Sequence, residues 1–373
     1  MASPGKIIAK GLIAAFLFAA HAHAESAPAA AKDDGAPAPV YLRLATGAVG
    51  GTYFPIGQAM GRLLSRPADA GPCETGEVCG VAGLTLVPMA SEGTLANLQL
   101  VASGIAEMAL VQADLAGDAY HGTGVFSAGA LDNLRAIARL YPEAIHLVVN
   151  KNASITTVNG LKGKRVAIGV AASGINAEAR MILKAYGLSP KTVKLMEIGG
   201  RDAVDGLAQG ELDAMFFVGG VPVSLITTLN ETQNIRLVPI AGQASDTLLK
   251  ANPALTHMTI PDSAYPGLGP VETLGVSTLW VTSTALDAKL VEDMCRTFWA
   301  PATLTRLGNA HPSATGLDVM HARTGLTLPL HEGATACYDA LGVPDDTNPA
   351  LDPMDAPPMP RMRPTIPASP ASL

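Results

Sequence analysis

Tyr41-Leu42-Arg43-Leu44-Ala45-Thr46-Gly47-Ala48-Val49-Gly50-Gly51-Thr52 (YLRLATGAVGGT) is the stretch on which the fold turns. An apolar run of strand length, Tyr41 to Thr46, breaks into a glycine-rich turn. Beyond it Ile56, Ala59, Met60, Leu63 and Leu64 recur at helical spacing. The same unit returns downstream. Leu84 to Met89 is followed by Ser91-Glu92-Gly93-Thr94 and a helix with Leu95, Leu98, Val101 and Ala102 on one face, stopped by Gly104. Glu107 to Ala113 is a third strand, ending at Asp114. Arg165 to Val170 leads through Ala171-Ala172-Ser173-Gly174 into a helix that reaches Tyr186 and is capped by Gly187. Leu212 to Val218 leads through Gly219-Gly220-Val221-Pro222, with Pro222 expected in the first turn of a helix over Val223 to Leu229. Strand, small-residue turn and helix in alternation predict an α/β protein with largely parallel sheets.

Each of these turns sets Gly, Ser or Thr at the carboxyl end of a strand and the start of a helix. Free backbone N–H groups and the helix dipole make such a place attractive to anions. In open parallel sheets ligands bind at those ends. At any single helix start a Ser or Gly is ordinarily only a cap. Four such turns, two early and two later, point to two α/β lobes facing each other across a ligand cleft.

Composition narrows the classes further. The chain has 373 residues, enough for about two domains. With 48% hydrophobic and 15% charged residues, disorder over the whole length is excluded. A net charge of -7 without a basic stripe argues against nucleic-acid binding. The apolar runs are broken by Gly, Pro or charge well short of a membrane span.

The ends lie apart from the fold. Residues 1 to 24 read as a secretory signal: Lys6 and Lys10, the short apolar core Gly11 to Ala20, and the small-residue site Ala22-His23-Ala24, with cleavage expected after Ala24 and a periplasmic location. The alternative, an uncleaved anchor, is disfavoured by the shortness of the core. Residues 25 to 39 form an Ala/Pro-rich flexible linker. Residues 344 to 373 carry nine prolines and are expected to be disordered. Four cysteines remain, Cys73, Cys79, Cys295 and Cys337. An exported protein can keep disulfides, and Cys73 with Cys79 could staple a hairpin, which would leave Cys295 for Cys337. Three connectivities are possible and the sequence does not choose. Zinc is disfavoured by the spacing and by the lack of a nearby His.

Motifs of catalysis are missing. There is no G-x-S-x-G elbow, no Walker A sequence and no clean G-x-G-x-x-G after a strand. The histidines are scattered, and His331, before Glu332-Gly333-Ala334, is best read as a helix cap. No cofactor and no metal site is expected. The sequence argues for binding rather than chemistry.

Ala45 to Gly57 (ATGAVGGTYFPIG) resembles the opening signature of the TAXI family, the solute receptors of TRAP transporters. The likeness continues through Ser91 to Leu98 (SEGTLANL), Ala109 to Asp114 (ALVQAD), Leu161 to Val166 (LKGKRV), Leu212 to Gly220 and Leu328 to Ala334, and so spans about Leu42 to Leu341. Two departures stand out. Ile175 replaces a hydroxyl residue, and Thr94 stands where Ser is usual.

The resemblance implies a type II periplasmic binding protein fold, two lobes joined by two crossing strands with a cleft between. Ala144 to Asn150 and Thr273 to Val281 would be the crossings. Lobe one would be 40–145 plus 265–343, and lobe two 146–264. The family's partners are membrane permease subunits of the TRAP type, and its ligands are small organic acids such as dicarboxylates, 2-oxoglutarate or glutamate-like compounds. A secreted enzyme or a sensory module on the same fold is the alternative.

Motif and turn together give the expected ligand-binding residues. They are Gly51, Thr52 and Tyr53; Ser91, Gly93, Thr94 and Asn97; Gln112 and Asp114; Tyr141; Ser173 and Gly174; and Gly219 and Gly220. Arg139 and Arg201 are candidate carboxylate partners, since guanidinium matches carboxylate geometry, although Arg201 reads more readily as a solvated charge at a helix start.

Overall fold

Leu42, Leu44 and Ala45 are buried in the computed structural model of the chain, and the strand they form, β1 (Val40–Ala45), lies between two others. The structure describes residues 38–71, 73 and 78–345. The signal, most of the linker and nearly all of the proline-rich tail expected from the sequence lie outside them.

From β1 the chain enters helix α1 (Tyr53–Leu64), passes the short strands β2 (Ser65–Arg66) and β3 (Val81–Ala82), and returns as β4 (Leu84–Met89). Helix α2 (Thr94–Ala102), β5 (Met108–Gln112) and α3 (Ala113–His121) follow. Both β4 and β5 pair parallel to β1, as the strand–turn–helix repeat requires. The third strand stops earlier than its apolar run implies. The chain turns helical at Ala113, which puts Asp114 in the first turn of α3, where a carboxylate suits the helix dipole.

Two long strands organise the rest. β6 (Leu134–Asn150) comes next in the chain. Then follow β7 (Arg165–Ala167), α4 (Gly174–Ala185), β8 (Lys194–Met196), α5 (Gly200–Ala208), β9 (Ala214–Gly219), α6 (Ser224–Thr232), β10 (Ile235–Leu237), α7 (Gln243–Ala251) and β11 (Leu255–Ile260). β12 (Val271–Ser283) is the second long strand. Helices α8 (Ala288–Trp299), α9 (Pro301–Ala310) and α10 (Glu332–Leu341) complete the described chain. The main sheet runs β4-β1-β5-β12-β6-β9-β7-β8. β6 pairs antiparallel with β12 through its first part and with β9 through its last, from Ala144 to Val149. β12 gives Thr278 to Thr282 to β5 and Val271 to Val276 to β11. Each long strand therefore belongs to both halves of a two-lobed α/β fold.

The expected crossings, Ala144 to Asn150 and Thr273 to Val281, fall inside these strands, but β6 begins at Leu134. Pro142 and Glu143 interrupt its apolar run and hide the continuation. The ladder with β12 accommodates them by a register shift between Ser277 and Leu279. Tyr141 is thus within the crossing strand rather than beside it. Pro222 also departs from expectation: the helix starts at Ser224 with Val223 as its N-cap, so the proline precedes the helix.

Apolar side chains collect on both faces of the sheet. One cluster joins Leu44, Ile56, Met60, Trp280, Phe298 and Tyr338 under α1, α8 and α10. Another gathers Val204, Met215, Ile226 and Tyr265 under α5 and α6. Tyr338 Oη donates to Ile137 O at 2.8 Å, which ties α10 to β6. His331 is the N-cap of α10, its Nδ1 accepting from Gly333 N. The start of the proline-rich tail is held as well, because Arg323 pairs with Asp345.

Disulfides join Cys73 to Cys79 and Cys295 to Cys337, the latter linking α8 to α10 across 42 positions of sequence. Replacing Cys295 and Cys337 together by alanine is expected to lower the unfolding free energy by about 2–4 kcal/mol, through the freedom returned to the unfolded chain. Urea denaturation of the oxidised wild type and the double variant measures this. A difference below about 0.5 kcal/mol, within the scatter of surface substitutions, would show that the bridge contributes nothing to stability.

Candidate functional site

The carboxyl ends of β1, β4 and β5 from one half, and of β7, β8 and β9 from the other, open onto a cavity of about 300 Å³. Four helices begin at its wall: α1 with Thr52 as N-cap, α2 with Gly93, α4 with Ser173 and α5 with Gly199. First-turn N–H groups of a helix have no intrahelical acceptor, so the wall is rich in donors and positive in field.

Most of the residues expected from the sequence reach this wall. Gly51, Thr52 and Tyr53 line it from the first turn, and Ser91, Gly93 and Thr94 from the second. Gln112 joins them from the end of β5, and Ser173, Gly174 and Gly219 from the other half. Their hydroxyls are largely committed to the framework. Ser91 Oγ donates to Asn97 Oδ1 at 2.6 Å and accepts from Gly93 N, while Ser173 Oγ donates to Val170 O at 2.7 Å and accepts from Asn176 N. Thr94 Oγ1 accepts from Gln112 N at 3.3 Å. Gly93 holds φ at 109°, in the region that favours glycine, and so turns the chain into α2 without a side chain over the cavity.

Four expected residues lie off the wall. Asn97 is fully buried and braces two strands, its Nδ2 donating to Thr46 O and Leu110 O. Asp114 is carried behind the wall by the start of α3. Tyr141 is buried within β6 with its hydroxyl unpartnered. Gly220 is a step beyond the lining, and its carbonyl accepts from Thr52 Oγ1 at 3.1 Å. Of the two arginines, Arg201 lines the cavity. Arg139 does not; it is buried in β6 and donates to Ser277 Oγ.

The structure adds residues that the sequence reading passed over. Gly199, Gly200 and Asp202 form one more strand–turn–helix unit, after β8, and the alternation itself could have found them. Phe217 and Val218 precede Gly219 near the end of β9. Glu143 is the unforeseen one. It comes from the middle of β6, the one acidic residue in that strand, and a charge within an apolar run was the available signal.

The halves touch around the cavity. Ala96 N donates to Ala172 O at 3.0 Å, Thr52 Oγ1 reaches Gly220 O, and Gln112 Nε2 donates to Glu178 Oε2 at 3.0 Å. Behind the wall, burial dominates the electrostatics. Loss of water pushes the carboxyls of Asp114 and Glu143 up to about 7, and that of Glu178 well above its ordinary range. Their mutual repulsion adds to the effect, while Thr278, whose hydroxyl donates to Glu143, opposes it. His146, buried against Tyr265, is held down to about 4 by the same loss of water.

The sequence profile of the family described as NMT1-like matches residues 44–342. Solved structures similar in the two-lobed fold include the alkanesulfonate-binding protein SsuA from Xanthomonas axonopodis pv. citri bound to MOPS, at 16% identity over 76% of this chain and 82% of that one, with a TM-score of 0.43. MatC from Rhodopseudomonas palustris with bound malate matches at 16% identity over 73% and 89%, TM-score 0.46. The periplasmic binding protein BugD matches at 13% identity over 82% and 98%, TM-score 0.47.

Two outcomes follow from this geometry. A Cβ on Gly174 would stand 1.5 Å from Gln112 Oε1 and 3.1 Å from Thr94 Cβ. Gly174→Ala is therefore expected to part the halves, giving a larger radius of gyration in small-angle scattering with an unchanged circular dichroism spectrum. An unchanged radius would show that Gln112 moves aside instead. The second concerns pH. Folded Glu143 holds its proton up to about 7, whereas an unfolded carboxyl releases it near 4.5. Its contribution to stability is thus full below about pH 4 and is lost as pH rises through about 7. Glu143→Gln should match the wild type near pH 4.5 and exceed it above pH 7 by up to about 3 kcal/mol. His146 acts in the opposite sense, stabilising above its unfolded value of 6.5 and failing as pH falls through about 4, but it is common to both proteins and cancels in the difference. Parallel denaturation series at the two pH values decide the matter, and equal stability throughout would rule out a buried, proton-holding Glu143.

Proposed function

Because the chain belongs to the NMT1-like family, we propose that it is a periplasmic solute receptor of the TAXI type, which closes on a small carboxylate-bearing molecule and presents it to a TRAP permease. The observation that carries this reading is the cavity itself: strand ends and helix starts of both halves meet around a space of about 300 Å³. A carboxylate there would face first-turn N–H groups of α1, α2, α4 and α5, with Arg201 on the same wall. Closure would then follow from a ligand that gives donors and acceptors on the two halves a common partner.

The lobes in this reading are 40–145 with 265–343, and 146–264, hinged where β6 and β12 pass between them. The export signal expected from the sequence of residues 1–24 supports a periplasmic setting, where a receptor meets its solute before the membrane subunits do. Binding rather than turnover is favoured by the state of the wall hydroxyls. Thr52, Ser91 and Ser173 donate to a backbone carbonyl or an amide oxygen, and none is set against a base.

Thermal-shift titration of the purified protein with dicarboxylates, 2-oxo acids and amino acids tests the proposal. A cognate ligand at a hundred times its dissociation constant contributes about 2.7 kcal/mol, which is expected to raise the melting temperature by about 5 °C. Flat melting curves across all three classes would reject the receptor reading.

A further inference from the structure

Gln112, Glu143 and Tyr53 share one part of the cavity lining, and what they offer is unusual for a pocket meant for an anion. Gln112 is 2% exposed. Its Nε2 is taken by Glu178, which leaves Oε1 with no partner beside Gly174, itself on the wall. The Tyr53 hydroxyl is likewise buried; it lies beside Glu143 and Thr94 without a hydrogen bond of good geometry to either. Glu143 accepts from Thr278 at one oxygen. Behind these stand Glu178 and Asp114, each with one buried oxygen unpartnered. The floor of the cleft thus carries Gln112 Oε1 as a lone acceptor and, once Glu143 gives up its proton, a carboxylate beside it.

It also lacks a counter-charge. The groups that act on Glu143 are Asp114, Tyr53 and Thr278, with Tyr141 close by. Those that act on Glu178 are Asp114, Glu143 and Gln112. Neither set contains a cation, and no ion pair among the described residues includes any of the three carboxyls. Burying three carboxyls without a counter-charge is costly, and unpaired buried acceptors add to the cost. Among the described residues no three His, Cys, Asp or Glu side chains are grouped to hold a metal ion. An alkylammonium has three N–H donors and one positive charge, which is what Gln112 Oε1, Glu143 and Tyr53 Oη lack.

We propose that the ligand carries a protonated nitrogen seated on Glu143 and Gln112, with its anionic group at the helix starts: a small zwitterion rather than a dicarboxylate or a 2-oxo acid. Glu178 is then a positioning residue, since its hold on Nε2 fixes which end of the Gln112 amide faces the ligand. This inference rests on the receptor reading and narrows it.

Isothermal titration of the full chain with pairs that differ only in C–NH3⁺ against C=O separates the two. Suitable pairs are L-alanine and pyruvate, L-leucine and 4-methyl-2-oxopentanoate, and L-glutamate and 2-oxoglutarate, with succinate added. In at least one pair the amine should bind and its oxo partner should be weaker by about tenfold or more, as expected for a lost charged hydrogen bond. That affinity should fall by up to about tenfold per pH unit below 7, as binding comes to require release of a proton from the floor. Glu143→Gln should weaken the amine by about ten- to a hundredfold while raising stability in the absence of ligand. An oxo acid or succinate binding as tightly as any amine, or gaining affinity as pH falls, overturns the zwitterion and leaves the receptor standing. If no compound of any pair binds, both readings fall together.

Discussion

The antiparallel pairing of β6 with β12 is the constraint on which the rest of the molecule depends. Both strands continue from one half into the other, so the two parallel sets of strands are fixed to one hydrogen-bonded ladder. Backbone ladders resist sliding, because a one-residue slip would turn every buried side chain of β6 to the wrong face. The halves can therefore change their separation only by bending across the two strands. That restriction keeps the strand ends aimed at one gap.

Within the gap the decisive quantity is space. Gly174 has an ordinary helical start, and its need for glycine comes from Gln112 standing where a Cβ would be. Gly220 meets Ser313 in the same way, and Gly50 meets Leu225 from the other half besides holding φ at 94°. The richness in glycine is thus partly steric. It lets the two halves approach to hydrogen-bond distance, as between Ala96 N and Ala172 O. Proximity in turn removes water from Glu143 and Glu178, which is why their carboxyls resist ionisation.

Much of this was legible in the residues. The run from Tyr41 to Thr52 and its repeats carried the α/β class, because strand, small turn and helix follow from local chemistry. The turn residues Thr52, Gly93 and Ser173 were found for the same reason, each being a helix start. Asn97 and Tyr141 show where local reading ends. A buried Asn bracing two strands looks in sequence like an Asn facing a ligand, and only the pairing of β1 with β5 tells them apart. Glu143 escaped for a related reason. Its place on the wall is set by the register of β6 against β12, a contact between residues far apart in the chain, and Pro142 concealed that the strand continued.

The ties across the gap carry a kinetic meaning. Thr52 to Gly220, Ala96 to Ala172, Gln112 to Glu178 and Ser313 to Val221 are ordinary hydrogen bonds, each worth on the order of 1 kcal/mol net of the water it displaces. Such a seam is a clasp and not a lock. In the proposed receptor, thermal motion would undo it on the microsecond-to-millisecond scale of hinge movements, and the molecule would exchange between shut and ajar. On that reading the lifetime of the shut form would be governed by whatever bridges the two faces from inside, and the cavity's polar groups would set residence time more than rate of capture.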